Sequence, residues 1–342
     1  MRFFNFSNLF SKHMAMDLGT ANTLIYVKGK GIILNEPSVV AYEKDTGKIL
    51  AVGQEAKNYI GRTPHNIAAV RPLKDGVIAD FDVAQAMIKE FFLKIQRMSR
   101  FFKPKAVICV PAGITQIEKK AVIDSAEESG VRKVYLIEEP MAAAIGANID
   151  ISQNKGQMVI DIGGGTTEVA VLSISSVAYS ESVRVAGDEI NETISRYLLK
   201  NYRIQVGENT AEKCKMEIGS AHPVEGLSSL YNISGKDSIT SSPKEISLSA
   251  EEIRKAIEEP VYAVIDAIRR ALEKTPPDLV VDINADGMYL TGGGALLKGL
   301  DKLIQKETKI KCNVIEDPLI SVVLGSGKAL EDMDKYRKVF IN

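Results

Sequence analysis

Met14-Ala-Met-Asp-Leu-Gly-Thr-Ala-Asn-Thr-Leu-Ile-Tyr-Val27 returns later in the chain as Met158-Val-Ile-Asp-Ile-Gly-Gly-Gly-Thr-Thr-Glu-Val-Ala-Val171. Met14 and Met158, Asp17 and Asp161, Gly19 and Gly163, Thr23 and Thr167, and Val27 and Val171 fall in register. Each copy reads as an apolar strand, an aspartate, a turn of small residues and a second apolar strand. Glycines let the main chain approach a ligand closely and adopt positive φ, so such a hairpin offers backbone N–H groups and hydroxyls to a phosphate. One Asp-x-Gly-Thr turn by itself is an ordinary hairpin, because Asp, Gly and Thr are common turn residues. Two copies with matching flanks point instead to two related halves around a cleft. Facing copies would grip a polyphosphate from both sides, each aspartate aimed at a Mg²⁺.

The 342 residues suffice for two domains, each with its own core, at roughly 100–200 residues per domain. A formal net charge of −1 provides no basic field, and no Lys/Arg run carries interleaved aromatics, so nucleic acid is not an expected partner. Cys109, Cys214 and Cys312 are odd in number and widely spaced. They form neither a disulfide framework nor a metal pattern, which fits a reducing cytosol. His13, His65 and His222 are the only histidines, too few for a zinc site or a histidine-based catalytic group. No apolar run reaches the roughly 18 residues of a membrane span.

The first ten residues hold Phe3, Phe4, Phe6 and Phe10, four of the ten phenylalanines. On a helical wheel Phe3, Phe6 and Phe10 fall within about 60° of one another, with Leu9 adjacent. Arg2, Lys12 and the terminal amine add positive charge. The pattern admits two readings: an amphipathic segment, residues 1–12, lying in a membrane interface, or a segment packed on the protein itself. It lacks the apolar core and cleavage site of a signal peptide.

Strands alternating with helices follow. Residues 14–27 and 31–43 read as strands, 55–61 as a short helix, and Asp82 as the N-cap of a helix running toward Pro104. Residues 106–110 and 134–137 read as strands, with a helix over 115–129 between them and an Ala-rich helix over 140–147 after them. A linker near residue 150 leads to the second hairpin, helices opening at Gly187 and Ala211, and a Ser-rich region of strands and turns. One helix over 249–273, the strand 288–290, the run Gly292-Gly293-Gly294 and a helical tail from Asp317 complete the chain. This alternation predicts α/β architecture with helices on both faces of the sheets.

Asp17-Leu-Gly-Thr-Ala-Asn-Thr23, Asp161-Ile-Gly-Gly-Gly-Thr-Thr-Glu168, Glu139-Pro-Met-Ala-Ala-Ala144 and Gly292-Gly-Gly-Ala-Leu-Leu-Lys-Gly299 together resemble the actin, Hsp70 and sugar-kinase ATPase superfamily. Within it the chain looks like the MreB family of bacterial actins, over about residues 13 to 335. The resemblance implies an actin-like ATPase fold: two related halves, each a central mixed sheet flanked by helices, with small inserted subdomains and a nucleotide cleft between the halves. The first half would span 13–150 with a subdomain over about 33–75, and the second 151–342 with one over about 187–250. The region 317–342 would return to the first half.

The resemblance also implies roles. Asp17 and Asp161 match residues that hold Mg²⁺ through its waters. Gly19, Thr20, Ala21 and Asn22 match the first phosphate loop, and Gly163, Gly164, Gly165 and Thr166 the second. Glu139, which by itself reads equally as an acid favoured at a helix N-terminus, matches the residue that orients the attacking water, helped by Thr166 or Thr167. Glu212, Lys213, Cys214 and Lys215 resemble the adenosine segment, although Glu212 and Lys215 alone also read as a surface ion pair. They would lie opposite Gly292, Gly293, Gly294 and Ala295, with Gly187 and Asp188 closing the cleft. Phe101 and Phe102 look like the apolar loop with which the family touches lipid, or equally like a helix-end core contact. The implied function is an ATP- or ADP-binding filament on the cytoplasmic face of the cell membrane. It would form paired protofilaments with itself, hydrolyse ATP slowly, and engage wall-synthesis partners of the RodZ and MreC type.

Two other readings belong to different classes. A soluble sugar-type kinase of the same superfamily would need a polar substrate pocket with an Asp general base, which the sequence does not locate. A chaperone ATPase normally carries a further peptide-binding domain, for which a chain ending at Asn342 is expected to leave no room.

Overall fold

A computed structural model describes residues 13–74, 76–96, 104–227 and 230–341. The two apolar readings, Phe3, Phe4, Phe6, Leu9 and Phe10 in one segment and Phe101 and Phe102 in the other, lie outside the described residues. The chain divides into two compact units: residues up to Ser152 together with those from Ile320 onward, and Gln153–Leu319.

Each unit is built on its copy of the repeated hairpin. In the first, Met14–Leu18 pairs antiparallel with Asn22–Val27, which pairs antiparallel with Gly31–Pro37. On the other side Met14–Leu18 runs parallel to Lys105–Val110, which runs parallel to Lys133–Glu138. In the second unit Gln157–Ile162 pairs antiparallel with Thr167–Ser173, and that strand with Ser176–Val183. Gln157–Ile162 then runs parallel to Met288–Thr291, and Met288–Thr291 to Cys312–Val314. The two five-stranded orders therefore correspond strand for strand. Mixed sheets flanked by helices are the actin-like architecture. Gln157–Ile162 is buried at every position, the pattern of a central strand covered on both faces.

Several elements differ from the sequence expectation. The run 31–43 breaks after Pro37: Val40–Glu43 leaves the first sheet and joins Ile49–Val52 and Ile67–Val70 in a three-stranded sheet. Pro37 has no N–H to continue a ladder, and Ser38 turns its polar groups onto the neighbouring loop. Helix Phe81–Gln96 is capped by Asp80, whose Oδ1 accepts from Val83 N at 3.1 Å, so Asp82 sits in the first turn instead. The expected 249–273 helix is two, Ala250–Ala256 and Glu258–Lys274, because Pro260 is tolerated only in a first turn. Pro276-Pro277 starts the helix Pro277–Asp286 where a break was expected, Pro being well suited to a first helical position. Helix Leu300–Thr308 and strand Cys312–Val314 were not anticipated at all.

The helix Ser321–Glu331 packs within the first unit against helix Glu139–Gly146 at backbone distance. A Cβ at Gly325 would lie 1.7 Å from the Ala142 carbonyl oxygen, and one at Gly146 2.0 Å from that of Ser321. Lys328 Nζ donates to Gly146 O and Asn148 Oδ1, both at 2.7 Å, and to Ile145 O at 3.2 Å. It thus caps the C-terminal end of the helix whose first residue is Glu139. Overpacking predicts that Gly325→Ala lowers stability by about 3 kcal/mol in denaturant unfolding. Gly207→Ala, whose Cβ meets nothing within 4 Å, is the near-neutral control.

Candidate functional site

In the first unit, strands Met14–Leu18, Lys105–Val110 and Lys133–Glu138 run parallel, so Asp17 and Glu139 leave the sheet at its carboxyl edge. That edge is where open α/β sheets bind ligands. The loop after Asp17 is tight: a Cβ at Gly19 would lie 2.7 Å from Asn22 O. Its carbonyls are held by residues that the sequence reading did not single out. Ser38 Oγ donates to Gly19 O at 2.6 Å, and Ser38 N to Ala21 O at 3.0 Å. Arg71 Nη1 reaches Thr20 O at 3.4 Å and Ala21 O at 3.5 Å, bringing a guanidinium against the loop. Thr20 is buried, and its Oγ1 accepts from Gly76 N at 3.4 Å. Thr23 and Ser38 hydroxyls meet at 2.9 Å, and since Ser38 donates to Gly19, Thr23 is the donor of that pair. Glu139 opens its helix with Pro140 beside it, in the first turn where the dipole favours a carboxylate.

In the second unit Asp161 lies opposite Glu168 on one side and beside Thr291 on the other. It is only 7% exposed, and burial pushes its carboxyl up to about 6. Gly292, at φ +78°, sits against it: a Cβ there would lie 2.3 Å from Asp161 Oδ1 and 2.4 Å from Ile162 O. Gly292 therefore sits beside the aspartate. A Cβ at Gly294 would strike the Ile162 side chain at 2.2 Å, while Gly293 is exposed and Ala295 is buried.

The second loop is fastened to the helix Gly187–Tyr202. Gly163 N donates to Thr166 O at 2.8 Å, Gly187 N to Gly163 O at 3.2 Å, and Asp188 N to Gly164 O at 2.8 Å. Thr167, fully buried, donates from Oγ1 to Val185 O at 2.7 Å. From helix Glu208–Ile218, Lys215 Nζ donates to Gly187 O at 2.9 Å. Burial lowers the Lys215 pKa, and the charges of Glu212, Asp188 and Glu208 oppose that shift. Lys215 is thus a partly enclosed cation tied to the first residue of helix Gly187–Tyr202, with Glu212, Asp188 and Glu208 acting on its charge. Within the same four-residue segment Glu212 is half-buried and Lys213 exposed. Cys214 stands in the hydrophobic core, its thiol pushed up to about 12 by burial.

Among the described residues no group of three or more His, Cys, Asp or Glu side chains could hold a metal ion. A cation bound here would keep most of its waters, as Mg²⁺ does. Asp161 suits that role: burial disfavours its charged form, and a nearby cation restores it.

A family model described as MreB/Mbl protein matches residues 11–338. The cell shape-determining protein MreB of Escherichia coli (strain K12) is 50% identical over 337 residues, 97% of this chain and 96% of that protein. Crystal structures of MreB5 of Spiroplasma citri superpose with a TM-score of 0.90 bound to ADP and 0.91 bound to AMPPNP, at 36% and 35% identity. They cover 96% of this chain and 97% and 98% of theirs. The MamK double helical filament shares the fold at a TM-score of 0.80 and 21% identity, over 94% of this chain and 99% of the MamK chain.

A hydrogen bond from a charged donor is worth about 1.5–3 kcal/mol. Lys215→Met, which keeps the stem and removes the bond to Gly187 O, is expected to weaken ADP binding by about 10- to 100-fold. Titration calorimetry reads the affinity, and a single cooperative melt, lowered by the lost bond, shows that the variant still folds.

Proposed function

Because the chain belongs to the MreB/Mbl family, we propose that it is a bacterial actin, an ATP-dependent cytoskeletal filament protein that determines cell shape by organising wall synthesis. The observation that carries this reading is the duplicated aspartate hairpin, set in the middle of two identically ordered sheets and followed each time by a loop that close backbone contacts hold. The family's MreB is a cell shape-determining protein, and MreB5 binds ADP and AMPPNP. Both support a nucleotide in this role.

The chemistry follows from the residues. The loops at Gly19–Asn22 and Gly163–Thr166 present main-chain donors to the phosphates; Arg71 steadies the first by its carbonyls, and Lys215 holds Gly187, whose N–H bonds the second. The chemistry that Mg²⁺ supplies when bound is charge neutralisation on the phosphate oxygens, and Asp17 and Asp161 would hold it through its waters. Glu139 orients and activates the attacking water, with Thr166 and Thr167 at the opposite loop. Glu212, Gly187, Asp188 and the run Gly292–Ala295 complete the nucleotide's surroundings. Hydrolysis is slow and follows assembly.

Assembly is with copies of the same chain. A head-to-tail contact that does not close into a ring makes a filament, and the same fold builds the double helical filament of MamK. No helix among the described residues is long and apolar enough to cross a membrane. The attachment we propose is peripheral, by the phenylalanines of residues 1–12 with Phe101 and Phe102, on the cytoplasmic face. RodZ- and MreC-type proteins are the partners there.

Sedimentation tests the reading. The protein is expected to pellet with ATP and Mg²⁺ and to stay in solution when EDTA removes the metal. Remaining in the supernatant under all conditions while phosphorylating a sugar overturns it. Glu139→Ala is expected to keep ATP affinity while slowing phosphate release by about 10²–10⁴-fold. Lost binding with unchanged turnover per bound ATP contradicts the role given to Glu139.

A further inference from the structure

The edge of the first sheet opposite Asp17 carries charge that the nucleotide reading leaves unused. Met14 pairs with Ala106 and with Val27, and Lys133 with Lys105. The residues at that end are therefore, strand by strand, Lys133, Lys105, His13 and Lys28, at the roughly 4.8 Å spacing of neighbouring strands. Two hydrogen bonds fix the row: Lys105 N donates to the His13 side chain at Nδ1, at 3.3 Å, and Lys28 N to His13 O at 2.9 Å. Arg132 joins it, its N–H donating to Pro104 O at 2.8 Å.

Like charges side by side on a sheet repel. His13 feels this directly: burial first, then Lys105, Lys28 and Arg132, lower its pKa, and the three charges named are all positive. The carboxylate in the neighbourhood is Glu331, which pairs with Lys28 at 3.7 Å and also accepts from Gly29 N and Tyr26 Oη. Arg132 and Lys28 are exposed, and Lys133 is drawn over the ring of Tyr135. A cationic rim kept together against its own repulsion is a place for an anion.

The chain itself indicates which anion. Residue 12 precedes His13 and residue 103 precedes Pro104, so the two phenylalanine-bearing stretches are covalently joined to the chain beside this row. Phenylalanines three positions in sequence from His13 and from Lys105 suit an interface whose surface is anionic. We infer that His13, Lys28, Lys105 and Arg132 form a rim that takes the phosphate of an acidic phospholipid headgroup. This rests on the membrane attachment proposed above and adds the lipid chemistry to it.

The test uses the full chain and two kinds of vesicle, phosphatidylcholine alone and phosphatidylcholine with phosphatidylglycerol. Partition is expected to rise with phosphatidylglycerol and to fall with salt. At roughly fivefold per charge, Lys105→Gln with Arg132→Gln is expected to lower partition onto the acidic vesicles by about 30-fold and to leave phosphatidylcholine binding unchanged. Lys105→Arg should restore binding to a Lys105→Gln loss. ATP-dependent pelleting without vesicles verifies that the variants fold. The wild-type ratio between the two vesicles decides the matter even if they do not.

Equal, salt-independent binding to both vesicles leaves the membrane attachment standing and overturns the rim. Binding to neither overturns both. Full release by inorganic phosphate at matched ionic strength also overturns the headgroup assignment, since the rim would then be a site for free anions.

Discussion

The constraint on which the second unit depends is the burial of a carboxylate at the end of an apolar strand. Asp161 is the one charged residue of its strand, following Met158, Val159 and Ile160, and it keeps only 7% of its surface. A charge buried there must be met by neighbouring polar groups, main chain or a bound ion, and whatever stands beside it must leave the carboxylate room. Gly292 meets that condition. Its φ of +78° and the 2.3 Å clash of any Cβ with Asp161 Oδ1 leave glycine as the residue that fits. Strand Met288–Thr291 must then run parallel to Gln157–Ile162 in its observed register, and the glycine run follows the aspartate for that reason.

The first unit answers the same requirement differently. Its loop is fastened by side chains, Ser38 and Arg71, whereas the second is fastened by main-chain bonds from Gly187 and Asp188. The difference follows from what lies beyond each hairpin. After Gly31–Pro37 the chain leaves the sheet beside its own first loop, so the departing residue Ser38 is at hand to bind it. After Ser176–Val183 the chain enters a helix, and that helix offers its first N–H groups to the loop's carbonyls. Lys215 Nζ on Gly187 O then adds a cation to the same junction.

The repeat was legible because both copies must keep Asp, Gly and apolar residues at the same offsets, and these are local requirements. The helix capped at Thr115 and the opening of the helix at Gly187 were legible for the same reason. Ser38 and Arg71 were not, since each acts on a loop about 20 to 50 positions earlier, and nothing in Pro37-Ser38 or Arg71-Pro72 announces the partner. Cys214 and Lys213 were grouped with Lys215 by adjacency. Successive helical residues point about 100° apart, which sends Cys214 into the core and Lys213 into solvent. Pro276-Pro277 was misread because proline ends a helix from within but also begins one.

Strand Met14–Leu18 also explains how two anion-seeking regions coexist in one small sheet. His13 precedes its first residue and Asp17 lies at its far end, so about 13 Å of extended chain separates them. That exceeds the Debye length of about 8 Å at physiological ionic strength, so exposed charges at one edge act weakly at the other. The aspartate loop at the carboxyl edge and the row of cations at the amino edge can therefore be tuned independently, although one five-residue strand links both. The helix Ser321–Glu331 supports each end in turn. Gly325 and Lys328 seat it on the helix that opens with Glu139, while Glu331 binds the turn after Asn22–Val27 through Gly29 N at 2.9 Å. A single helix braced at both edges keeps them at a fixed separation.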